Sequence, residues 1–316
     1  MKKLFLSALV VCIALLTSCT QDSASPSGGG GGTSAVGKKI SQVYEASTST
    51  SYVSNDQVYW EEIYHYSNPS KLEDEWYWDG DKIDQIDHYW GNDEVRCTRY
   101  FYYNNAGNVN RIESYYEGEL SYYMLFYYND TKINKFEIYE DNILYEAYEL
   151  EYSGDKITRA NCIYYSDDEK SSDRQISFMK NFQHFKDHKE SIQRDDLPYF
   201  ILTWTGDDIT KIREYYPGEG IYTTNYTYDN KNNPYFGCNA LTAYAIFDSG
   251  ITNLSQHNVR SSHSSDGYDY TYSYNYYDNY PMQMSYTSEY ISGPYDDIWY
   301  KDCYDYRYSF NYIVEE

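Results

Sequence analysis

From about residue 41 onward, apolar and polar positions alternate in short runs divided by turn-forming residues. Runs such as "ILYEAYELEY" (143–152) and "YTYSYNYY" (270–277) change character at every second residue, the period of a strand with one buried face. The stretch "WDGDKIDQIDHYW" (78–90) departs from that rhythm. Its Ile83, Ile86 and Trp90 stand at i, i+3 and i+7, a helical spacing, behind Asp79-Gly80-Asp81.

Repetition decides between helix and strand. The stretch recurs as "YNNAGNVNRIESYY" from Tyr103, "YNDTKINKFEIY" from Tyr128, "YSGDKITRANCIYY" from Tyr152 and "WTGDDITKIREYY" from Trp204, with a weaker copy from Tyr52. The leading aromatics are 24 to 26 residues apart, with one double step of 52 before Trp204. "YDNKNNPYF" from Tyr228 and "YYDNYPMQMSY" from Tyr276 continue the series. A second turn signal, such as Glu117-Gly118 or Asp141-Asn142, lies 11 to 13 residues after the first in each unit, which leaves no room for an ordinary helix. The pattern predicts an all-β antiparallel meander of repeated hairpins, with the helical spacing explained by a bulge beside the turn. Two regions break the rhythm, near 167–197 and 235–262, and are expected to hold short helical or irregular insertions.

Composition sharpens this picture. Forty-five Tyr, 11 Phe and 6 Trp make the chain 20% aromatic, and Tyr suits a half-wet pleated surface. With 25 basic against 49 acidic residues the net charge is −24, a field that repels nucleic acid. A nucleic-acid partner is therefore excluded. The strands alternate Tyr with Glu, Asp, Ser, Thr and Asn, so they lack the outward apolar band of about 25 Å that a membrane barrel requires.

The N-terminus supplies an address. Lys2 and Lys3 precede an apolar run from Leu4 to Leu16 that ends in "LTSC", a signal peptide over residues 1–18. The run is shorter than the roughly 20 residues of a membrane-spanning helix. Its end resembles a bacterial lipobox, which implies that Cys19 becomes the lipid-bearing N-terminus. Residues 19–40, with glycines 28 to 32, read as a flexible tether, leaving 41–316 as one domain. The expected location is the outer membrane, on its periplasmic face or the cell surface.

The hairpin units, notably "YFYYNNAGNVNRIESYY" and "NYTYDNKNNPYF", resemble Tyr-Asp repeats of the Rhs and teneurin type. The whole layout, from lipobox and glycine tether to the Gly-Asp-Lys-Ile hairpins and the closing "YNYYDNYP", resembles a family of Bacteroidetes lipoproteins of unknown function with a porin-like fold. That resemblance implies a sheet curled into a barrel or spiral. It carries over no functional residue except Cys19.

Chemistry is sparse. Asp79-Gly80-Asp81 reads as a tight turn rather than a calcium loop, because Lys82 follows directly and no calcium-binding repeat is present. His184 and His188 lack further zinc ligands and read as a solvated pair. No metal or cofactor is expected, and no nucleophile elbow, phosphate loop or dinucleotide motif occurs. Once Cys12 leaves with the signal and Cys19 is lipidated, Cys97, Cys162, Cys238 and Cys303 remain, either as disulfides in one of three pairings or as buried thiols.

Three functions follow. The first is a non-catalytic structural or protein-interaction module of the envelope. The second is a glycan or ligand binder in which Trp60, Trp76, Trp78, Trp90, Trp204, Trp299 and the tyrosines offer rings to sugars, marked by a concave aromatic cluster in one place. The third is a glycan hydrolase, which would need two converging carboxylates. The first is the reading preferred on sequence, so no enzyme activity is expected.

Overall fold

A computed structural model describes residues 38–55, 58–64, 71–89, 94–165, 197–218, 220–265, 267–295 and 298–313. The signal peptide, Cys19, most of the tether, the insertion near 167–197 and both His184 and His188 lie outside the described residues.

The strands form one antiparallel meander. β1 (Ile40–Asn55) begins inside the span assigned to the tether, and β2 (Val58–Tyr64) and β3 (Lys71–Asp79) both pair with it. β2 takes the second half of β1 and β3 the first half, so the two share one strand position. β4 (Lys82–Tyr89), β5 (Val95–Tyr103), β6 (Val109–Tyr116), β7 (Glu119–Asn129), β8 (Lys132–Glu140), β9 (Ile143–Ser153) and β10 (Lys156–Tyr165) follow in turn. β11 (Tyr199–Thr205), β12 (Asp208–Tyr216), β13 (Gly220–Asn232), β14 (His257–Ser264), β15 (Tyr268–Tyr277), β16 (Tyr280–Tyr295) and β17 (Ile298–Tyr312) complete it. β17 pairs back along β1 from Ile40↔Tyr312 to Ser54↔Trp299, closing the barrel. Seventeen segments thus fill sixteen positions, and closure removes the sheet edges that would otherwise invite pairing with another chain.

The helical spacing at Ile83 and Ile86 has a simple cause. Trp78 pairs with Ile83 but Tyr77 with Gln85, which leaves Asp84 as an extra residue in β4. The bulge turns Ile83 and Ile86 to the same face, and both are fully buried. Asn110, Thr158, Asn134 and Thr210 occupy the same extra position in β6, β10, β8 and β12. Each bulge lets two apolar residues, such as Ile133 with Phe136 or Ile209 with Ile212, enter the core from one strand, each contributing roughly 1.5–3 kcal/mol by burial.

The leading aromatics from Trp78 to Tyr228 have a second task, shared with Tyr274 and Tyr312. Trp78, Tyr103, Tyr128, Tyr152 and Trp204 donate to the main-chain carbonyls of Ile40, Ile83, Val109, Ile133 and Ile157, at 2.6 to 2.8 Å. Tyr228, Tyr274 and Tyr312 do the same for Ile209, Val259 and Pro281. The eight bonds form a ring at one end of the barrel, each tying a hairpin to its neighbour. The turn lysines run alongside: Lys39 pairs with Asp81 at 2.9 Å, Lys132 with Asp155 at 2.8 Å and Lys156 with Asp207 at 3.1 Å. Lys132 and Lys156 also lie over the rings of Tyr152 and Trp204. These ion pairs make the first turns of Asp81, Asp155 and Asp207 inter-hairpin staples; Gly80 holds φ +58°, the left-handed region a tight turn needs.

The region 235–262 differs from its expected irregularity in its second half. The polar run "HNVRSSHS" is strand β14, since its partner β13 supplies the ladder and composition alone does not reveal it. The first half is a plug inside the barrel: α1 (Asn239–Tyr244), a π-helical turn at 245–249 and a 3-10 turn at 251–254. Ala243, Ala245, Ile246 and Phe247 are fully buried, and a segment apolar on every side can only be interior. Asn239 Oδ1 accepts from Val109 N–H at 2.8 Å and Ser255 Oγ from Ile209 N–H at 3.0 Å, so the plug is pinned to the ring at both ends.

Outside, carboxylates sit under tyrosines. Tyr102 and Tyr115 donate to Glu113, Tyr127 and Tyr139 to Glu137, and Tyr77 and Tyr89 to Glu75. Arg111 and Lys135 add ion pairs to Glu113 and Glu137. Burial pushes Glu113 and Glu137 up, but these donors outweigh it and leave both carboxyls below their usual range. Three carboxylates are thus held beneath outward-facing tyrosine rings on this part of the wall.

Candidate functional site

The lumen is filled unevenly. Across β6–β12, side chains such as Met124, Phe136, Tyr148 and Phe200 pack against the plug. On the opposite side, between the plug and the strands β14–β17, β1 and β3–β5, a cavity of about 320 Å³ remains. That volume is at the lower end of small-ligand pockets, about 300–1,000 Å³.

One wall is aromatic. Tyr272 on β15, Tyr286 on β16 and Tyr308 on β17 face inward from successive strands, with ring centroids 5.4 Å apart for Tyr272–Tyr286 and 6.2 Å for Tyr286–Tyr308. Burial raises the phenol of Tyr272 well above its normal value, and that of Tyr308 further with the charges nearby. Both phenols stay neutral at physiological pH.

The facing wall is ionisable. In a regular strand Glu73 and Asp74 would point to opposite faces. β3 is bulged here, since Val43 pairs with Asp74 and Tyr44 with Leu72, and the extra residue is Glu73. Both carboxylates therefore reach His88, which follows Ile83 and Ile86 on the inward face of β4. Asp74 Oδ1 lies 2.8 Å from His88 Nδ1 and Glu73 Oε1 lies 3.3 Å from Nε2. Arg99 of β5 lines the same wall, 6.0 Å from the ring centre of Tyr244 in the plug.

The protonation of this group follows from its surroundings. Burial pushes Glu73 up to about 7, with Glu45 and Asp74 adding repulsion, while His88 and Arg99 pull it down less strongly. Burial also raises Glu45, opposed by the His88 charge and a hydrogen bond from Tyr308. Burial would lower His88, but the hydrogen bond and charge of Asp74 more than offset it and the imidazole is raised. With a carboxyl group at each ring nitrogen, either His88 is an imidazolium or Glu73 keeps a proton and donates it. The pair can hold or release one proton near neutral pH.

Other candidates are placed differently. Trp76 is buried against Tyr244 at 5.0 Å, and Trp78 and Trp204 belong to the ring of hydrogen bonds. Trp76 is enclosed, and Trp78 and Trp204 are half-buried and committed to those hydrogen bonds. The side chains of Trp60, Trp90 and Trp299 lie outside the described residues. Cys97, Cys162 and Cys238 are free thiols, Cys97 beside Ser114 Oγ at 3.1 Å and Cys162 donating to Tyr164 O at 3.2 Å; the Cys303 side chain lies outside the described residues. Burial pushes the Cys162 thiol up to about 12 and also raises Cys238, so neither is a ready nucleophile. Among the described residues, no group of three or more His, Cys, Asp and Glu side chains is placed to hold a metal ion.

Glu45, Glu73, Asp74, His88 and Arg99 were not singled out by the sequence pattern. The signal was available for His88, because the inward series that starts Ile83, Ile86 continues into a titratable residue. It was absent for Glu73, whose direction depends on the register with β1.

No family model matches the chain, and no curated protein matches it. Among solved structures, a porin-like protein from Bacteroides uniformis aligns over 87% of this chain and 96% of that one, with a TM-score of 0.48 and 9% identity. The structure of TcdB2-TccC3-TEV aligns over 74% of this chain and 12% of that one, with a TM-score of 0.30 and 10% identity. The architecture itself stands on the strand register described above.

Proposed function

We propose that the protein is a lipid-anchored envelope protein, attached through Cys19 to the outer membrane, whose barrel is a non-catalytic module that binds a small hydroxyl-rich ligand in its lumen. The observation that carries this reading is the concave cluster of Tyr272, Tyr286 and Tyr308 facing Glu73, Asp74 and His88 across about 320 Å³. Tyrosine faces stack on the C–H faces of a sugar-like ligand while the carboxylates accept from its hydroxyls. Binding suits the site better than turnover because both nitrogens of His88 are engaged by protein carboxylates. Titration calorimetry with a panel of mono- and disaccharides tests the idea. Micromolar to millimolar binding is expected for the wild type and its loss in Met284→Trp, which fills the cavity, at an unchanged melting temperature. A wild type that binds no sugar, or a variant that binds equally well, refutes it.

A further inference from the structure

Building on the lumenal-binding reading, we propose that the ligand is a small organic cation, a primary ammonium on a compact hydroxylated body, held at Glu73 and Asp74 with its body against Tyr272, Tyr286 and Tyr308.

The charge inventory leads there. Three carboxyl groups, Glu45, Glu73 and Asp74, converge on this side of the lumen against two bases, His88 and Arg99. If all five are ionised they sum to one negative charge, in a lumen partly withdrawn from bulk water, where a negative charge without a cation is costly. Without a ligand, a proton on Glu73 removes that imbalance. An ammonium would do so instead, and it would also meet the negative faces of the neutral tyrosine rings, which attract cations and repel anions. The net charge of −24 favours entry of cations as well.

Exchange of a proton for an ammonium has a measurable signature. Glu73 is the group whose carboxyl stands near pH 7, so binding should release a proton below that pH and tighten as pH rises. Asp74, Glu45, His88 and Arg99 face it from β3, β1, β4 and β5, and the phenols of Tyr272, Tyr286 and Tyr308 from β15, β16 and β17. His88 works in the same direction, since losing its proton at higher pH adds to the site's negative charge.

The test compares glucamine, sorbitol and gluconate by calorimetry at pH 6, 7 and 8. These six-carbon polyols differ at one end, which is an ammonium, a hydroxyl or a carboxylate. Glucamine is expected to bind at least tenfold more tightly than sorbitol, and gluconate not at all. Its affinity should rise from pH 6 to 8 with proton release at pH 6, and Glu73→Gln should abolish that proton release and weaken glucamine at least tenfold more than it weakens sorbitol. The isostere series uses the wild-type protein alone, so it stands even if that variant misfolds. Sorbitol or gluconate binding as tightly as glucamine overturns the cation while leaving lumenal binding intact. If no polyol binds but neutral sugars do, the cation fails alone; if nothing binds, both readings fail.

Discussion

Glu146 provides a direct measure of how dry the barrel interior is. It is fully buried on β9, where Tyr148 donates to its Oε2 at 2.8 Å and Oε1 has no hydrogen-bond partner. Burial pushes its carboxyl from 4.5 up to about 7. A carboxyl raised on folding makes the folded state hold a proton that the unfolded state has lost. Stability therefore falls as pH rises between about 4.5 and 7, and the full penalty is present above that window. At about 1.4 kcal/mol per pH unit, the penalty amounts to roughly 3 kcal/mol. Glu146→Gln cannot ionise, so its stability relative to wild type should be lowest near pH 4.5 and should improve by about that amount by pH 8. Urea denaturation of both proteins from pH 4.5 to 8.5 reads the difference. Glu73, raised in the same direction, and Glu113 and Glu137, lowered in the opposite one, affect both proteins equally and cancel. Stability curves that run parallel across this range would show that Glu146 reaches water and would refute the argument.

Two further outcomes are expected. Tyr152→Phe keeps the ring but removes the donor to Ile133 O, so it should cost about 1–3 kcal/mol in urea denaturation, while Tyr277→Phe, at a residue 69% exposed, should change stability by less than about 0.5 kcal/mol. Equal effects would remove the hydrogen-bond ring as a source of stability. If Cys19 carries the lipid, Cys19→Ser should move the protein from the membrane fraction to the soluble fraction of fractionated cells, and a variant that still sediments with membranes would sink the anchor.

Much of the wall was legible because the repeat encodes it locally. Turn residues at fixed offsets, an aromatic before each first turn, and the spacing of Ile83 and Ile86 are short-range features, and a hairpin is a short-range structure. Closure was less accessible. It depends on Ile40 of β1 meeting Tyr312 of β17, a pairing across nearly the whole chain that no local pattern encodes. The plug was half visible: "NALTAYAIF" permits a helix, but its place in the lumen follows from Asn239 reaching Val109 and Tyr244 reaching Trp76. The site was least legible. The inward turn of Glu73 arises from a bulge set by β1, and acidic residues are so common in this chain that composition gave no reason to prefer Glu73 over any other.

The repeats also serve as internal controls for the site. The position four residues before the leading aromatic holds Asp74, Arg99, Met124, Tyr148 and Phe200 in successive units, and all five lie on the inner side of the wall. In the later units that level is filled by large side chains packed in the core; in the first two it carries charge and borders the cavity. The residue five places after the bulge-forming Ile83 is His88, and its counterparts after Val109, Ile133, Ile157 and Ile209 are Ser114, Ile138, Cys162 and Glu214, all buried. The same backbone plainly accepts an apolar or small residue there, and buried charge is costly compared with such a residue. A barrel of sixteen strands would by itself leave a channel. This one fills most of that space and concentrates ionisable groups beside what remains. Single buried carboxylates also occur away from the cavity, at Glu146 and Glu214, but only the cavity wall gathers Glu73, Asp74, His88 and Arg99 side by side among the described residues, and it is that grouping, not burial of charge as such, that sets the wall apart from the rest of the repeat.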